Sequence, residues 1–235
     1  MLPIPTQTDL LLNLLVLAGG MQVAWLSAML VRRGVRPAAI QRMLPPLYAV
    51  WVLMWPVYSA AIWVWIGLGL LALPVLLAGM LKQPFWQALR RAWSSPPHQR
   101  GSWPAPMHLL PIYYLLAALA MAAAWFQQIP EFGFGLALSF CLAFPAAELL
   151  DRAGIVPLKF PTHPEQTLPG HLTLIMGSAL LMAWSLHVYH GIDWRPLMIA
   201  TLIAGIAGSV TRALMPGGLN QPAALLLMGA TLWML

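Results

Sequence analysis

Long apolar blocks separated by short polar segments are the main pattern along this chain. The blocks run approximately over residues 9–31, 44–59, 61–81, 107–126, 132–150, 170–188, 196–213 and 218–235. Apolar blocks of about 18 residues or more with few charges are typical of helices that cross a bilayer. The pattern therefore predicts an all-α, polytopic integral membrane protein of about eight transmembrane helices. We expect one transmembrane domain over 1–235, with N-terminal spans in 1–126 and further spans in 132–235.

The second and third blocks form one uncharged stretch from Leu44 to Leu81. A single helix of that length would be about 57 Å long at 1.5 Å per residue, whereas the hydrocarbon core is about 30 Å thick. Two spans joined near Pro56 and Tyr58 fit better. The neighbouring tryptophans are then predicted to form an aromatic belt at the interface; they are Trp55, Trp63 and Trp65.

Composition and charge narrow the class of protein further. The chain is 60% hydrophobic and only 8% charged, which leaves too little polar surface for a water-soluble domain. A net charge of +6 could suggest a nucleic-acid partner, but the positions of the basic residues argue against it. If the first span runs inward, eleven of the twelve Lys and Arg residues lie on one face, and only Arg195 lies opposite. The positive-inside rule makes that face cytoplasmic, which predicts a bacterial inner-membrane protein with both termini outside.

The longest polar segment, about residues 82–106, falls on the predicted cytoplasmic side. Phe85, Trp86, Leu89 and Trp93 recur in it at helical spacing, with charged and polar residues between them. That pattern predicts a short amphipathic helix lying in the membrane interface. A docking surface for an anionic substrate is the alternative.

Ionisable groups close to a span are expensive and are therefore candidates for function. Glu148, Asp151 and Arg152 end the fifth apolar block. Glu148 and Arg152 are four residues apart, so an intrahelical ion pair is the structural alternative to a functional role for them.

The loop after these residues concentrates polar groups just before the sixth apolar block. It carries Lys159, His163, Glu165, Thr167 and His171. Backbone N–H groups at the start of a helix, with a lysine nearby, can hold a phosphate group. The loop and the helix start therefore form a candidate phosphate site.

Three segments resemble motifs of the membrane CTP-transferase superfamily, which includes phosphatidate cytidylyltransferases and the dolichol and phytol kinases. Ala147-Glu-Leu-Leu-Asp-Arg-Ala-Gly154 is similar to a family stretch Ala-Glu-Leu-x-Gly-Arg-Arg-x-Gly that ends a helix. Pro164-Glu-Gln-Thr-Leu-Pro-Gly170 is similar to Pro-x-Lys-Thr-x-Glu-Gly, which opens the next helix. Arg212-Ala-Leu-Met-Pro-Gly-Gly-Leu-Asn220 resembles the kinase ending Glu-Ala-x-Ser-Pro-x-Gly-Leu-Asp-Asn.

The resemblance implies a divergent CTP-dependent lipid kinase or phosphatidate cytidylyltransferase-like enzyme. Its lipid, polyprenol-like or phosphatidate-like, would enter from the cytoplasmic leaflet, and Mg²⁺ and CTP would be its cofactors. Glu148, Asp151 and Lys159 are the implied catalytic residues, and Glu148 and Asp151 would hold the metal. The residues implied to bind the nucleotide are Arg152, Thr167, Gly170 and His171.

The chain departs from the family pattern at three places. The acidic residue that helps to hold metal would fall near Ala143 or Phe144, the motif lysine aligns with Gln166, and the motif glutamate aligns with Pro169. Loss of a metal carboxylate and a phosphate-binding lysine removes charge stabilisation that phosphoryl or nucleotidyl transfer needs.

Two further hypotheses therefore remain beside the enzyme. One is a catalytically inactive lipid-binding or scaffold subunit, with a membrane-protein partner or as a homodimer. The other is a small transporter, which predicts internal repeats and broken helices at the midplane. The role of His187 and His190 near the opposite face stays open between metal binding and hydrogen bonding.

Overall fold

The computed structural model describes residues 4–94, 108–157, 165–191, 193–215 and 219–235. Ten α-helices account for most of these residues, and no strand is found among them. The helices are α1 Gln7–Arg32, α2 Pro37–Val52, α3 Ala61–Met80, α4 Pro84–Trp93, α5 Leu110–Gln128, α6 Pro130–Leu138, α7 Phe144–Arg152, α8 Leu168–His190, α9 Trp194–Leu214 and α10 Asn220–Met234. A π-helical turn, Ser139–Ala143, joins α6 to α7. The prediction of an all-α protein is confirmed.

Six helical segments of the described chain are long and apolar enough to cross a membrane. They are α1, α3, α5, the continuous α6–α7 segment, α8 and α9. The other two predicted spans correspond to α2, with 16 residues, and α10, with 15. At 1.5 Å per residue these are about 24 and 22 Å long, shorter than a hydrocarbon core of about 30 Å. The chain is thus a multi-pass membrane protein with six candidate spans, and the count of eight stays a prediction.

The uncharged stretch 44–81 is broken where the sequence predicts a turn. Helix α2 ends at Val52, a 3₁₀ turn covers Trp55–Val57, and α3 begins at Ala61. The carboxylate of Asp9, in the first turn of α1, accepts hydrogen bonds from the backbone N–H (2.9 Å) and the hydroxyl (2.6 Å) of Ser59. This fixes the turn to the start of α1. Asp9 has no role in the predictions from the sequence.

The prediction of an aromatic belt is wrong for Trp55. The side chain of Trp55 is 0% exposed and lies inside the protein, whereas Trp63 and Trp65 are partly exposed. Burial and lipid exposure both require an apolar residue, so the sequence alone does not separate them.

Helix α4 is the amphipathic helix that the sequence predicts, but its apolar face packs on protein. Trp86, Leu89 and Trp93 are buried, and α4 packs against α1, α2 and α3. Arg90 donates from Nε to the carbonyl of Ala78 (2.8 Å) and from Nη2 to that of Leu81 (3.0 Å). The arginine therefore satisfies carbonyls at the C-terminal end of α3, which have no partner within the helix.

The chain divides into two compact units, Met1–Leu116 and Ala117–Leu235. In the second unit α9 packs against both α8 and α10. A Cβ atom at Gly205 of α9 would lie 2.8 Å from the carbonyl oxygen of Ile175, and one at Gly208 would overlap Met228. Small residues permit this close approach of helices, which brings the ends of α8 and α9 together at the site described next.

Candidate functional site

Six polar side chains are buried where the end of α7, the start of α8 and the last turns of α9 meet. Each is at most 7% exposed, and we call them the α7–α9 polar cluster. Its members are Asp151, Gln166, Thr167, His171, Ser209 and Arg212. Buried polar groups have to find hydrogen-bond partners, so the partners show what each side chain is used for.

Asp151 is the centre of the cluster. Its Oδ1 accepts hydrogen bonds from the backbone N–H of Thr167 (2.8 Å) and from the Thr167 hydroxyl (3.1 Å). Its Oδ2 accepts from Nη2 of Arg212 at 2.7 Å, and the two side chains are only 5% and 6% exposed. One carboxylate thus ties the end of α7 to the start of α8 and to the last turns of α9.

The start of α8 is built to receive this carboxylate. Thr167 is the N-cap residue, and its hydroxyl accepts from the N–H of Gly170 at 3.2 Å. Gly170 has to lack a side chain, because a Cβ atom there would overlap the Asp151 carboxylate. A negative charge at a helix N-terminus is stabilised by the helix dipole. The place where the sequence predicts a phosphate therefore holds the protein's own anion.

His171 lies between two partners within the cluster. Its Nδ1 is 2.6 Å from the hydroxyl of Ser209, and its Nε2 is 2.9 Å from Oε1 of Gln166. Because an amide oxygen only accepts, Nε2 carries a proton, and in the neutral imidazole Nδ1 then accepts from Ser209. Gln166 in turn donates to the carbonyl of Arg212 at 3.3 Å. Gln166, which aligns with the motif lysine, is thus hydrogen-bonded to His171 and to the carbonyl of Arg212.

Glu148 lies outside the cluster. Its Oε2 is 3.7 Å from Nη2 of Arg152, and the two side chains are 33% and 39% exposed. Its Oε1 accepts from Nε2 of Gln221 at 3.0 Å. The intrahelical ion pair considered from the sequence is confirmed, and Glu148 also connects α7 to α10.

The structure brings four of the predicted site residues together and separates the others. Asp151, Thr167, Gly170 and His171 meet at the start of α8, whereas Glu148 and Arg152 pair with each other. Lys159 and His163 lie outside the described residues.

The described residues do not fit a preformed Mg²⁺ site. No group of three or more His, Cys, Asp or Glu side chains that could hold a metal occurs among them. Both oxygens of the Asp151 carboxylate are already engaged, one of them by an arginine. The predicted roles of Glu148 and Asp151 as metal ligands stay predictions.

Sequence reasoning missed the arginine of the cluster. Arg212 is not among the predicted site residues, although the resembling family motif carries a glutamate at that position. The change from glutamate to arginine is the available signal, because an arginine that is buried at this position needs an anionic partner. Asp151 is that anion.

The histidines at the other end of α8 have a separate environment. Nε2 of His190 is 2.8 Å from Oε1 of Glu131, in the first turn of α6. This contact favours the hydrogen-bonding reading of His190. His187 and Asp193 form no metal-binding group with it among the described residues.

Comparison of the chain with protein-family models, with curated proteins and with solved structures gives no match. The class of protein therefore comes from the fold, which is that of an all-helical, multi-pass membrane protein. Its distinguishing local feature is the buried ion pair between Asp151 and Arg212 at the start of α8.

Proposed function

We propose that this chain binds a phosphate-bearing lipid at the ends of α7, α8 and α9 and transfers no phosphoryl or nucleotidyl group to it. The ion pair between Asp151 and Arg212 supports the second part of this proposal, the absence of transfer. The lipid is the substrate class that the resembling motifs at 147–154 and 164–170 imply. Transfer of a phosphoryl group needs preorganised cationic donors, and usually a metal, aimed at the developing charge. Here the N–H of Thr167 donates a hydrogen bond to Asp151, and Arg212 neutralises the carboxylate. These groups are therefore engaged with each other and are not aimed at a phosphoryl group.

The proposal includes the topology, with eight spans, both termini outside and the polar cluster at the cytoplasmic face of a bacterial inner membrane. Its support is the distribution of charge. Basic residues lie at the end of α1 and directly after it, at 32–36, and follow α3, at 82–91. They lie on one face only if α2 also crosses, and the positive-inside rule favours one face. A span as short as α2 is accommodated by local thinning of the bilayer.

A second candidate is the CTP-dependent lipid kinase or phosphatidate cytidylyltransferase that the motifs imply. The observation in its favour is that Glu148 and Arg152 remain partly exposed at the end of α7. In that case CTP and Mg²⁺ would bind at this end of the helices, and Asp151 would have to release Arg212.

Incubation of the purified protein with a bacterial lipid extract, Mg²⁺ and CTP labelled at the α or the γ phosphate tests both candidates. We expect no label in lipid from either position, while lipid that copurifies with the protein is enriched in phosphate-bearing species over the whole extract. An active lipid kinase in parallel controls the conditions. Label from the γ position would establish a kinase, and label from the α position a cytidylyltransferase. Absence of both label and retained phospholipid would contradict lipid binding.

A further inference from the structure

We propose that one end of the first unit is a docking surface for the headgroups of anionic phospholipids, separate from the lipid site proposed above. This surface, which we call the basic end, is formed where α4 meets the end of α1, the start of α2 and the end of α3. Its exposed basic side chains are Arg32, Arg33, Arg36, Lys82 and Arg91. All of them belong to the unit Met1–Leu116, so the inference does not rest on the proposed function.

The first observation is that the fold brings these residues to the same end of the unit. Helix α4 packs against α1, α2 and α3. Gln41, near the start of α2, donates to the carbonyls of Ala92 (3.2 Å) and Ser94 (3.0 Å) at the end of α4. Arg90 of α4 is bonded to the end of α3, and the short turn 33–36 joins α1 to α2. The basic residues at 32–36 and at 82–91 are therefore neighbours in space.

The second observation is that the unit holds no carboxylate that could neutralise its basic end. Eight of the twelve Lys and Arg residues fall within it, but Asp9 is its only acidic residue. Asp9 and Arg32 lie at opposite ends of α1, about 35 Å apart at 1.5 Å per residue. Exposed charges are largely screened from each other beyond a Debye length of about 8 Å. The carboxylate of Asp9 is also buried and accepts hydrogen bonds from Thr6 and Ser59.

The second unit shows the opposite arrangement. Its arginines Arg152 and Arg212 each have a carboxylate partner, Glu148 and Asp151 respectively. Clustered exposed charges of one sign repel each other and attract counter-ions of the other sign. The basic end of the first unit is thus a surface that an anion from outside the chain stabilises.

The apolar side chains around the basic end indicate where that anion comes from. Arg32 ends one candidate membrane span, and Lys82 follows another by two residues. Met80, at the end of α3, is 77% exposed, and Met43 of α2 is 54% exposed. Cations at the ends of spans, next to exposed apolar side chains, are placed for headgroups and acyl chains respectively. A phospholipid offers both, whereas a soluble acidic partner offers only the charge.

The test measures which lipids stay bound to the full-length protein. Native mass spectrometry from detergent micelles that contain equal amounts of phosphatidylglycerol and phosphatidylcholine gives the preference for the anionic lipid. We expect the wild type to retain phosphatidylglycerol in excess, and raised salt to weaken this preference. The variant Arg33→Gln, Arg36→Gln and Arg91→Gln should lower it by roughly tenfold or more, since a basic residue near an anionic lipid contributes about fivefold.

Two controls separate charge from folding and from position. The same three arginines replaced by lysine keep the charge, so that variant should retain the preference. Arg195→Gln removes an exposed arginine from the second unit, beside Asp193, and should leave the preference unchanged. Thermal unfolding in the same micelles shows that all variants are folded.

A preference that the glutamine variant loses and the lysine variant keeps supports the proposal. An equal preference in the wild type and the glutamine variant overturns this inference and leaves the proposed function intact. Absence of any preference in the wild type also overturns it. Tight binding of a polyglutamate peptide without discrimination between the two lipids would assign the basic end to an acidic protein and contradict a lipid.

Discussion

Replacing Arg212 with methionine should lower the free energy of unfolding by about 3–5 kcal/mol, because the carboxylate of Asp151 then stays buried without its cation. Asp151→Asn should have a comparable effect, since it leaves the guanidinium buried without a counter-ion. The atoms concerned are 2.7 Å apart, and neither side chain is more than 6% exposed. Equilibrium unfolding in mixed micelles of the protein measures both values.

The double variant Asp151→Asn with Arg212→Met removes both charges and should recover much of the lost stability. The expected coupling energy between the two sites is about 2 kcal/mol or more. The matched control is the pair Glu148→Gln and Arg152→Gln, whose side chains are 33% and 39% exposed. Solvent screens that pair, so its coupling should be about 0–1 kcal/mol. Equal coupling for the two pairs would contradict the assignment of Asp151 and Arg212 as the buried junction of three helices.

The helices themselves were predictable because their signal is local. Span limits such as 9–31 and 170–188 differ by about two residues at each end from α1 and α8. A run of apolar residues of sufficient length has few alternatives to a membrane helix. The number of crossings was less accessible, because α2 and α10 are intermediate in length between a span and a buried helix.

Which apolar surface meets lipid and which meets protein could not be read from composition. Trp55 and the apolar face of α4 satisfy the same sequence pattern whether they contact acyl chains or other helices. Only the packing of α4 against three other helices shows that its apolar face contacts protein. In lipid there is no hydrophobic driving force that separates the two environments.

The position of the candidate site was predicted from the sequence, but the groups that occupy it were not. The sequence located the start of α8 as an anion-binding helix terminus, and an anion does lie there. It is Asp151, 16 positions before Thr167, and its cation is Arg212, 61 positions further along the chain. Residue types that favour phosphate at a helix start favour an internal carboxylate equally well. Pairings over such separations depend on tertiary packing and leave no local pattern.

Gly170→Ala tests directly whether the Asp151 carboxylate fills the start of α8. We expect it to lower the free energy of unfolding by about 3 kcal/mol. The new methyl group would overlap the carboxylate of Asp151 and would lie 3.1 Å from the carbonyl of Ala147. Asp151 would have to move away from Thr167 and Arg212, so the hydrogen bonds at the junction would be weakened together. Equilibrium unfolding in mixed micelles gives the size of the loss.

Two matched variants show whether the contact with Asp151 causes the loss of stability in Gly170→Ala. Gly69→Ala, on the exposed side of α3, has no atom within 4 Å of the added methyl group. Alanine there should be neutral or stabilising by up to about 1 kcal/mol, as in an unobstructed helix. In an Asp151→Ala background the carboxylate is gone, so Gly170→Ala should add less than about 1 kcal/mol of further loss. An undiminished effect in that background would place the strain at Ala147 and not at the carboxylate that fills the start of α8.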